Sequence, residues 1–437
     1  MIYPGKITIW ILSLAPFAAI APHGATFFNI FILAFLILAI VALYDAWGTT
    51  SRIDAISISL PETERMTIYS ETSLRFIFAN SAHEKIQAKV KPVFSEYMDV
   101  KEPEKLIDIP SNDQSVLEWK CRPTRRGNLK IDCVYLEISS HLGLWLRRKI
   151  FKVKSEIRVY PNLTRERRKL SALFLHHGDA GLHLRRMLGQ GKEFEKLREY
   201  IPGDSLDILS WKATAKKGKP ISKVYQQEQT QEVYAIIDIS RLSGKTLDDI
   251  SVLEHYISTS LTLALVTEKQ KDSFGIIAFD DNVRAFVKAK GGKAHFGTCR
   301  EAVYALQPTQ ASPNFNNLFS FIRTNLRKRA LLVFLTDIDD PALAESFIAN
   351  APLVNRKHIC VLNSMKSDTH TPLFQGEEPS NSPEIRNLLA GHIRWAELLE
   401  VANALRKMGM NLTTSDFENF TTDIVSEYLN IKRRQLL

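Results

Sequence analysis

Residues 191–228, GKEFEKLREYIPGDSLDILSWKATAKKGKPISKVYQQE, form a charged, turn-rich stretch that leads into the apolar segment 233–237, VYAII. From this point the chain alternates short apolar strands with segments in which apolar residues recur at helical spacing. The helix with the clearest apolar face is predicted over about residues 247–268. Such alternation is typical of a doubly wound α/β domain, which we predict over residues 229–437.

The same alternation predicts the other elements of this domain. Further strands are predicted at residues 274–279, 283–287, 330–335, 358–362 and 410–413. Further helices are predicted at residues 302–306, 318–326, 395–408 and 417–431. Residues 366–383 are rich in Ser, Pro, Thr and Gly and are expected to form a flexible insertion. Because the ligands of open α/β sheets bind outside the carboxyl ends of the strands, polar residues at those ends form the candidate site.

The region before this domain divides into two parts of different character. Residues 51–160 follow a period of two, as where Ile86, Ala88 and Val90 alternate with polar residues, and this pattern predicts a small all-β sandwich. Residues 161–228 are interpreted as a basic connector. Its histidines have no cysteine or carboxylate at metal-ligand spacing, so exposed imidazoles are favoured over a metal site. Its arginines accompany no nucleic-acid-binding motif, so we expect no nucleic acid partner.

The first fifty residues are predicted to form a transmembrane helical hairpin. Residues 7–20 and 27–47 are apolar runs without Lys, Arg or Glu, and about 20 apolar residues span a bilayer. A cleaved signal peptide is the competing interpretation, but the second run is too long for one. Lys6 precedes the runs and Arg52 and Arg65 follow them, which by the positive-inside rule places both ends in the cytoplasm. We therefore expect a two-pass membrane protein whose later domains are cytoplasmic.

The composition limits the chemistry. The net charge of +9 and the pI near 9.2 suit anionic membrane lipid or an acidic partner, and they also fit a solvated basic face. The four cysteines form no CxxC pair, which disfavours zinc and thioredoxin-type sites. Cys121 and Cys133 are equidistant from Gly127, and a hairpin turning there would place them opposite each other. No cysteine lies in a recognisable nucleophile motif, so an enzyme is the least favoured class.

Two carboxylates end predicted central strands, Asp238 in DISRLS and Asp337 in TDIDD. With Ser240 they offer oxygen ligands of the kind that Mg²⁺ or Mn²⁺ accepts. This arrangement resembles the metal-ion-dependent adhesion site of von Willebrand factor A-type domains, which uses Asp-x-Ser-x-Ser, a Thr from a later loop and a further Asp. Leu242 stands at the third motif position and Pro313 in place of the Thr, so the resemblance implies a degenerate site, although either neighbour of Pro313 could supply an oxygen. The alternative is that Asp238 and Ser240 cap the following turn.

The quoted stretch resembles the "domain of unknown function 58" family of membrane-anchored bacterial proteins, which have a β-sandwich and an A-type domain. The family pattern is approximately Gly-x-x-Phe-x-x-Leu-Arg-x-Tyr-x-Pro-Gly-Asp, followed by Arg and Ile-Asp-Trp-Lys, and then by Ala-Arg. The residues that match it are Gly191, Phe194, Leu197, Arg198, Tyr200, Pro202, Gly203, Asp204, Trp211, Lys212 and Ala215. Asp207 stands where the family has Arg, and Ser210 replaces the Asp before Trp211. If those two family residues pair with each other, both partners are lost together, which avoids a lone charge.

Two interpretations of this signature stay open. Pro202 and Gly203 suit a type II turn, which favours Pro at its second position and Gly at the position with positive φ. That turn would bring together the signature residues Arg198, Glu199, Tyr200, Asp204, Trp211 and Lys212. The segment then either clamps the connector onto the α/β domain or forms a docking surface for a partner.

The family resemblance implies an interaction protein. Members resemble partners of MoxR-type AAA+ ATPases, so the chain is expected to recruit such an ATPase, or its client protein, at the cytoplasmic face of the bacterial inner membrane. The alternative is an outward-facing, metal-dependent adhesion or receptor-like protein, which would need the opposite membrane topology.

Overall fold

The computed structural model describes residues 2–5, 8–9, 25–177, 188–189, 193–201, 209–226, 231–247, 250–366, 372 and 382–434. They form two compact units, Met1–Asn162 and Leu163–Leu437.

The first unit contains a long apolar helix, α1, Ala25–Asp54. Within it, Leu33–Asp54 is long and apolar enough to cross a membrane. This helix corresponds to the second apolar run of the sequence. The first predicted membrane helix, over residues 7–20, lies outside the described residues except for Thr8 and Ile9.

The rest of the first unit is made of two β-sheets that share one core. Its strands are β1 (Ile2–Pro4), β2 (Ile56–Ser59), β3 (Thr63–Thr67), β4 (Thr72–Asn80), β5 (Ile86–Pro92), β6 (Met98–Asp99), β7 (Lys105–Ile109), β8 (Gln114–Pro123), β9 (Gly127–Ser139) and β10 (Trp145–Tyr160). One sheet has the order β1-β10-β9-β5-β7 with β3 beside β10, and the other has the order β2-β4-β8-β6. The side chains of Phe76, Phe78 and Trp119 lie at the centre of the shared core. In β5, Ile86, Ala88 and Val90 are buried in this core, as their alternation indicates.

The expected opposition of Cys121 and Cys133 is wrong. Cys121 lies in β8 and Cys133 in β9, and these strands belong to different sheets. The chain passes from one sheet to the other at Gly127, whose φ of 108° is a conformation that glycine adopts at no steric cost. Both thiols are free.

The second unit contains a large, mostly parallel sheet. The strands of the whole second unit are β11 (Leu188–Gly189), β12 (Glu193–Glu199), β13 (Ile221–Gln226), β14 (Glu232–Asp238), β15 (Thr246–Leu247), β16 (Ile250–Ser251), β17 (Ser273–Phe279), β18 (Val283–Lys290), β19 (Ala330–Leu335), β20 (Ile359–Met365) and β21 (Asn411–Ser415). The large sheet has the order β18-β17-β14-β19-β20-β21. Edge strand β18 is antiparallel to β17, and the other neighbours run parallel.

Helices cover both faces of this sheet. The helices of the unit are α2 (Thr164–His177), α3 (Trp211–Lys217), α4 (Val252–Lys269), α5 (Lys293–Val303), α6 (Phe315–Asn325), α7 (Pro341–Asn350), α8 (Pro352–Asn355), α9 (Ser382–Lys407) and α10 (Phe420–Arg433). Apolar residues of α4, α5 and α10 fill the core on one face. Residues of α6, α7, α8 and α9 fill the core on the other face. Central strands β14 and β19 contribute alternate residues to the two cores, which explains why they read as continuous apolar runs.

Several sequence-based boundaries need correction. Helix α9 begins at Ser382, well before the predicted residue 395. The prediction missed the first half of this helix because Ile385, Leu389 and Ile393 are exposed there, and the sequence therefore lacks the pattern of a buried face. Helix α5 lies at Lys293–Val303 and ends where the predicted helix 302–306 begins. The predicted insertion at residues 366–383 lies mostly outside the described residues. The basic connector contains a small sheet with the order β11-β13-β12, which its sequence did not indicate.

Candidate binding site at the strand ends

The buried carboxylate of Asp238 links two neighbouring strands. Asp238 is the last residue of β14, and its side chain is fully buried. Its Oδ1 accepts a hydrogen bond from the backbone N–H of Ser240 at 2.8 Å, and its Oδ2 accepts one from the Thr336 hydroxyl at 2.6 Å. Burial raises the pKa of Asp238, and hydrogen bonds from Thr336 and Ser240 oppose that shift. Both oxygens of this carboxylate are therefore used inside the protein.

Ser240 has the geometry of a helix cap. Its Oγ accepts a hydrogen bond from the backbone N–H of Leu242 at 3.3 Å, at the start of the 3₁₀ turn Arg241–Gly244. The hydroxyl of Ser243, the serine displaced by one from the expected motif position, donates to the backbone oxygen of Ser240 at 2.9 Å. The capping alternative raised by the sequence thus describes the local contacts of Ser240.

Asp337 follows β19 and forms an ion pair. Its Oδ2 lies 2.7 Å from the Nζ of Lys245, and its Oδ1 accepts a hydrogen bond from the backbone N–H of Asp339 at 3.0 Å. The Asp337 side chain is 14% exposed and that of Lys245 is 54% exposed. Burial, followed by the negative charge of Asp337, raises the pKa of Asp339 to about 7.

The loop that precedes α6 supplies the third side of the site. The backbone N–H of Arg241 donates to Ala311 O at 2.9 Å, and its Nε donates to the Ser312 hydroxyl at 3.1 Å. Asn314 caps α6, since its side chain accepts from Asn317 N at 3.1 Å. Both residues that could have replaced the oxygen missing at Pro313 are therefore engaged elsewhere.

The donor set does not fit Mg²⁺ or Mn²⁺. The predicted ligands Asp238, Ser240 and Asp337 are brought to the same edge of the sheet, but their oxygens accept hydrogen bonds from protein groups or face the Lys245 ammonium. Among the described residues, no group of three or more His, Cys, Asp or Glu side chains is placed to hold a metal ion. A Mg²⁺ ion needs near-octahedral coordination by oxygen atoms. The side-chain oxygens of Asp238, Ser240 and Asp337 do not offer it, because they already interact with protein groups.

Sequence reasoning missed three participants. Thr336 donates to Asp238, and Lys245 pairs with Asp337. Both contacts exist because β14 and β19 are neighbours in the sheet. Tyr256 on α4 is buried, and its hydroxyl has no hydrogen-bond partner among the described residues. Burial, with Asp337 and Asp238 close enough to add to the effect, raises the pKa of Tyr256. Its position on an apolar helix face gave no sign of this placement.

The family signature folds around the start of β13. Arg198 and Glu199 end β12 and pair with Ser222 and Ile221. Tyr200 N donates to Pro220 O at 2.9 Å. The other half of the signature returns to the same strand, where Ser210 N donates to Ile221 O at 2.8 Å. Residues Pro202, Gly203 and Asp204, with their predicted turn, lie outside the described residues.

Trp211 and Lys212 begin helix α3 next to this strand. The Trp211 side chain is 72% exposed, and Lys212 is exposed as well. The Trp211 ring is therefore not part of a core, and its exposed face is available for a contact. The contacts of Arg198, Glu199 and Tyr200 around β13 are those of local scaffold.

A comparison with known families supports the resemblance that was drawn from this signature. Residues 196–365 match the family model described as "Protein of unknown function DUF58". The DUF58 match begins within β12 and ends with β20, so it includes Arg198, Trp211, Asp238 and Asp337. No curated protein matches the chain.

Solved structures show only partial likeness. BatB, a conserved hypothetical protein from Bacteroides thetaiotaomicron, is 11% identical, with 46% of this chain and 99% of that chain covered and a TM-score of 0.31. Proximal thread matrix protein 1 from the mussel byssus is 10% identical, with 46% and 45% covered and a TM-score of 0.27. A C. elegans MSP family member, WR4, is 13% identical, with 24% and 97% covered and a TM-score of 0.17. At these scores the likenesses carry no functional argument.

Proposed function

We propose that this chain is a membrane-tethered interaction protein that recruits a MoxR-type AAA+ ATPase, or a client of one, to the cytoplasmic face of the bacterial inner membrane. Its second unit would be a von Willebrand factor A-like module. The DUF58 match and the mostly parallel sheet support that assignment. The observation that carries the membrane-tethered part of the proposal is the attachment of the apolar helix to a folded unit, and the recruitment part rests on the family resemblance.

The last turns of α1 are fixed to the hairpin formed by β9 and β10. The Oδ1 of Asp45 accepts a hydrogen bond from Leu142 N at 3.1 Å, and Trp145 Nε1 donates to Ala42 O at 2.8 Å. Residues 33–41 are exposed. A helix whose end is docked while its apolar body projects is suited to anchor a domain closely at a membrane surface.

The N-terminal segment is attached to the same hairpin. Strand β1 pairs with Trp145–Arg147, and Gly5 N donates to Leu144 O at 2.7 Å. A Cβ on Gly5 would lie 2.5 Å from Gly143 O, so this close approach requires glycine. Since both flanks of the apolar sequence are held at one place, we propose that it crosses the membrane an even number of times. The same contacts favour a retained anchor over a cleaved leader.

An enzymatic role has less support. Burial raises the pKa of the Cys121 thiol to about 11 and those of Cys299 and Cys360 to about 12. A thiol in this state is a poor nucleophile. The alternative adhesion role depends on a metal-bridged contact, and the donor set at the strand ends does not favour one.

Affinity purification from detergent-solubilised membranes tests the recruitment. We expect a MoxR-type ATPase or its client among the captured proteins, and we expect Trp211→Ala to reduce its recovery. Leu106→Ala is the matched control, because Leu106 is 68% exposed but lies in the first unit. Recovery of no such protein above background would refute the recruitment.

Labelling with a membrane-impermeant maleimide tests the topology. Leu106→Cys offers a more accessible reporter than Cys121, which is 2% exposed. A cytoplasmic first unit predicts labelling only after lysis. Labelling in intact cells would favour the outward-facing alternative.

A further inference from the structure

Three loops at the carboxyl ends of the large sheet are joined by direct side-chain bonds. They are residues 239–245 after β14, residues 309–314 before α6 and residues 336–340 after β19. Arg241 bonds to Ser312 in the second loop, and Lys245 pairs with Asp337 in the third. The bond from Thr336 to Asp238 ties the third loop to β14.

We propose that Arg241 and Lys245 take the structural place of a divalent cation at this edge, so that the loops are cross-linked without metal. A cation in a site of this layout holds loops together by collecting their oxygens around one centre. Here the two basic side chains leave the same short turn, four residues apart, and reach the two other loops separately. This inference concerns the α/β unit alone and does not depend on the proposed ATPase partner.

The sequence changes at the site agree with this exchange. Leu242 and Pro313, the positions where oxygen ligands are missing, are adjacent in the chain to Arg241 and Ser312, which form one of the cross-links. Losing oxygen ligands weakens cation binding, and a fixed positive charge 2.7 Å from Asp337 repels a second cation. Both the missing oxygens and the nearby ammonium group therefore disfavour the binding of a divalent cation.

A functional consequence follows for partners. A ligand that needs an open coordination position on a metal finds an ammonium group at this edge instead. The Lys245 side chain is 54% exposed, so a partner can reach it directly.

Thermal unfolding of the full-length protein in detergent tests the proposal. We expect the Tm of the unaltered protein to be the same in EDTA, MgCl₂ and MnCl₂, and isothermal titration with MnCl₂ to show no binding. Lys245→Met and Asp337→Asn should each lower the Tm. The double variant should lower it no further than the larger single effect, because both substitutions remove the same ion pair.

Lys328→Met is the matched control, since the Lys328 side chain is 81% exposed and its Nζ lies 3.8 Å from Glu232. It should leave the Tm unchanged, because Lys328 is the more exposed of the two lysines and the charges are farther apart than the 2.7 Å between Lys245 and Asp337. Mn²⁺ binding that disappears in Asp337→Asn would overturn the proposal. Additive effects of the two single substitutions would overturn it equally, because the ion pair would then not be the cross-link.

Discussion

The attachment of α1 to the sandwich predicts a specific effect of Asp45→Ala. Asp45 is 6% exposed, and its Oδ1 accepts the hydrogen bond of Leu142 N at 3.1 Å. Removing the acceptor leaves a partly buried N–H without a partner, which costs about 1–2 kcal/mol. Since 1.4 kcal/mol is a factor of ten in an equilibrium constant, local opening of the docked helix should increase roughly tenfold.

A matched substitution separates the hydrogen bond from the charge. Asp45→Asn retains an acceptor oxygen and removes a carboxylate whose Oδ2 is buried without a hydrogen-bond partner. Because the acceptor for Leu142 N is kept and the buried charge is removed, this variant should dock about as well as the unaltered protein. The two variants therefore separate the loss of the acceptor from the loss of the charge.

Hydrogen exchange of the detergent-solubilised protein measures this opening. In Asp45→Ala, peptides that cover residues 42–54 and 140–146 should exchange roughly tenfold faster, since exchange follows the population of the open state. Residues 86–92, in the core strand β5, serve as the internal reference and should not change. The reasoning fails if Asp45→Ala exchanges at the unaltered rate, or if Asp45→Asn opens as readily as the alanine variant.

Three further predictions concern the α/β unit. Asp272→Asn should reduce the free energy of unfolding by about 3–5 kcal/mol, because Lys432 Nζ, 2.6 Å from the Asp272 carboxylate, would be left as a buried charge. Gly275→Ala should reduce it by about 1–3 kcal/mol, because the new Cβ would lie 2.4 Å from the Tyr234 ring. Burial raises the pKa of Glu427 from 4.5 to about 7, so its contribution to stability is full below pH 4.5 and is lost as the pH rises to 7. Glu427→Gln should flatten this part of the pH profile and give the more stable protein at pH 8, as measured by urea unfolding.

Two of these predictions have a matched control, and all three have a contradicting result. Gly48→Ala has no atom within 4 Å of the new Cβ and should not destabilise the protein. Glu418→Gln, with a side chain that is 75% exposed, should leave the pH profile unchanged. Equal stability of Asp272→Asn and the unaltered protein would show that the ion pair is not needed. Equal losses in the two glycine variants would exclude the steric cause, and an unchanged pH profile in Glu427→Gln would place the titrating group elsewhere.

Local patterns determined much of the secondary structure. The apolar runs that became β14, β17 and β19 were recognisable because strands buried on both faces exclude polar residues. The alternation in β5 was recognisable because one face of that strand is buried. Helix α9 was recognised only in part, since sequence periodicity reports burial and half of this helix exposes its apolar residues.

The sequence by itself determined which residues end the strands of the α/β unit, and therefore that Asp238, Ser240 and Asp337 would meet at one edge. Only the tertiary structure decided what these groups contact. Lys245 and Asp337 are 92 positions apart, and Thr336 and Asp238 are 98 positions apart. Their pairing follows from β14 lying beside β19, which no local pattern specifies. The same reason applies to Asp45 and Leu142, because the docking of a helix on a hairpin depends on contacts between distant segments.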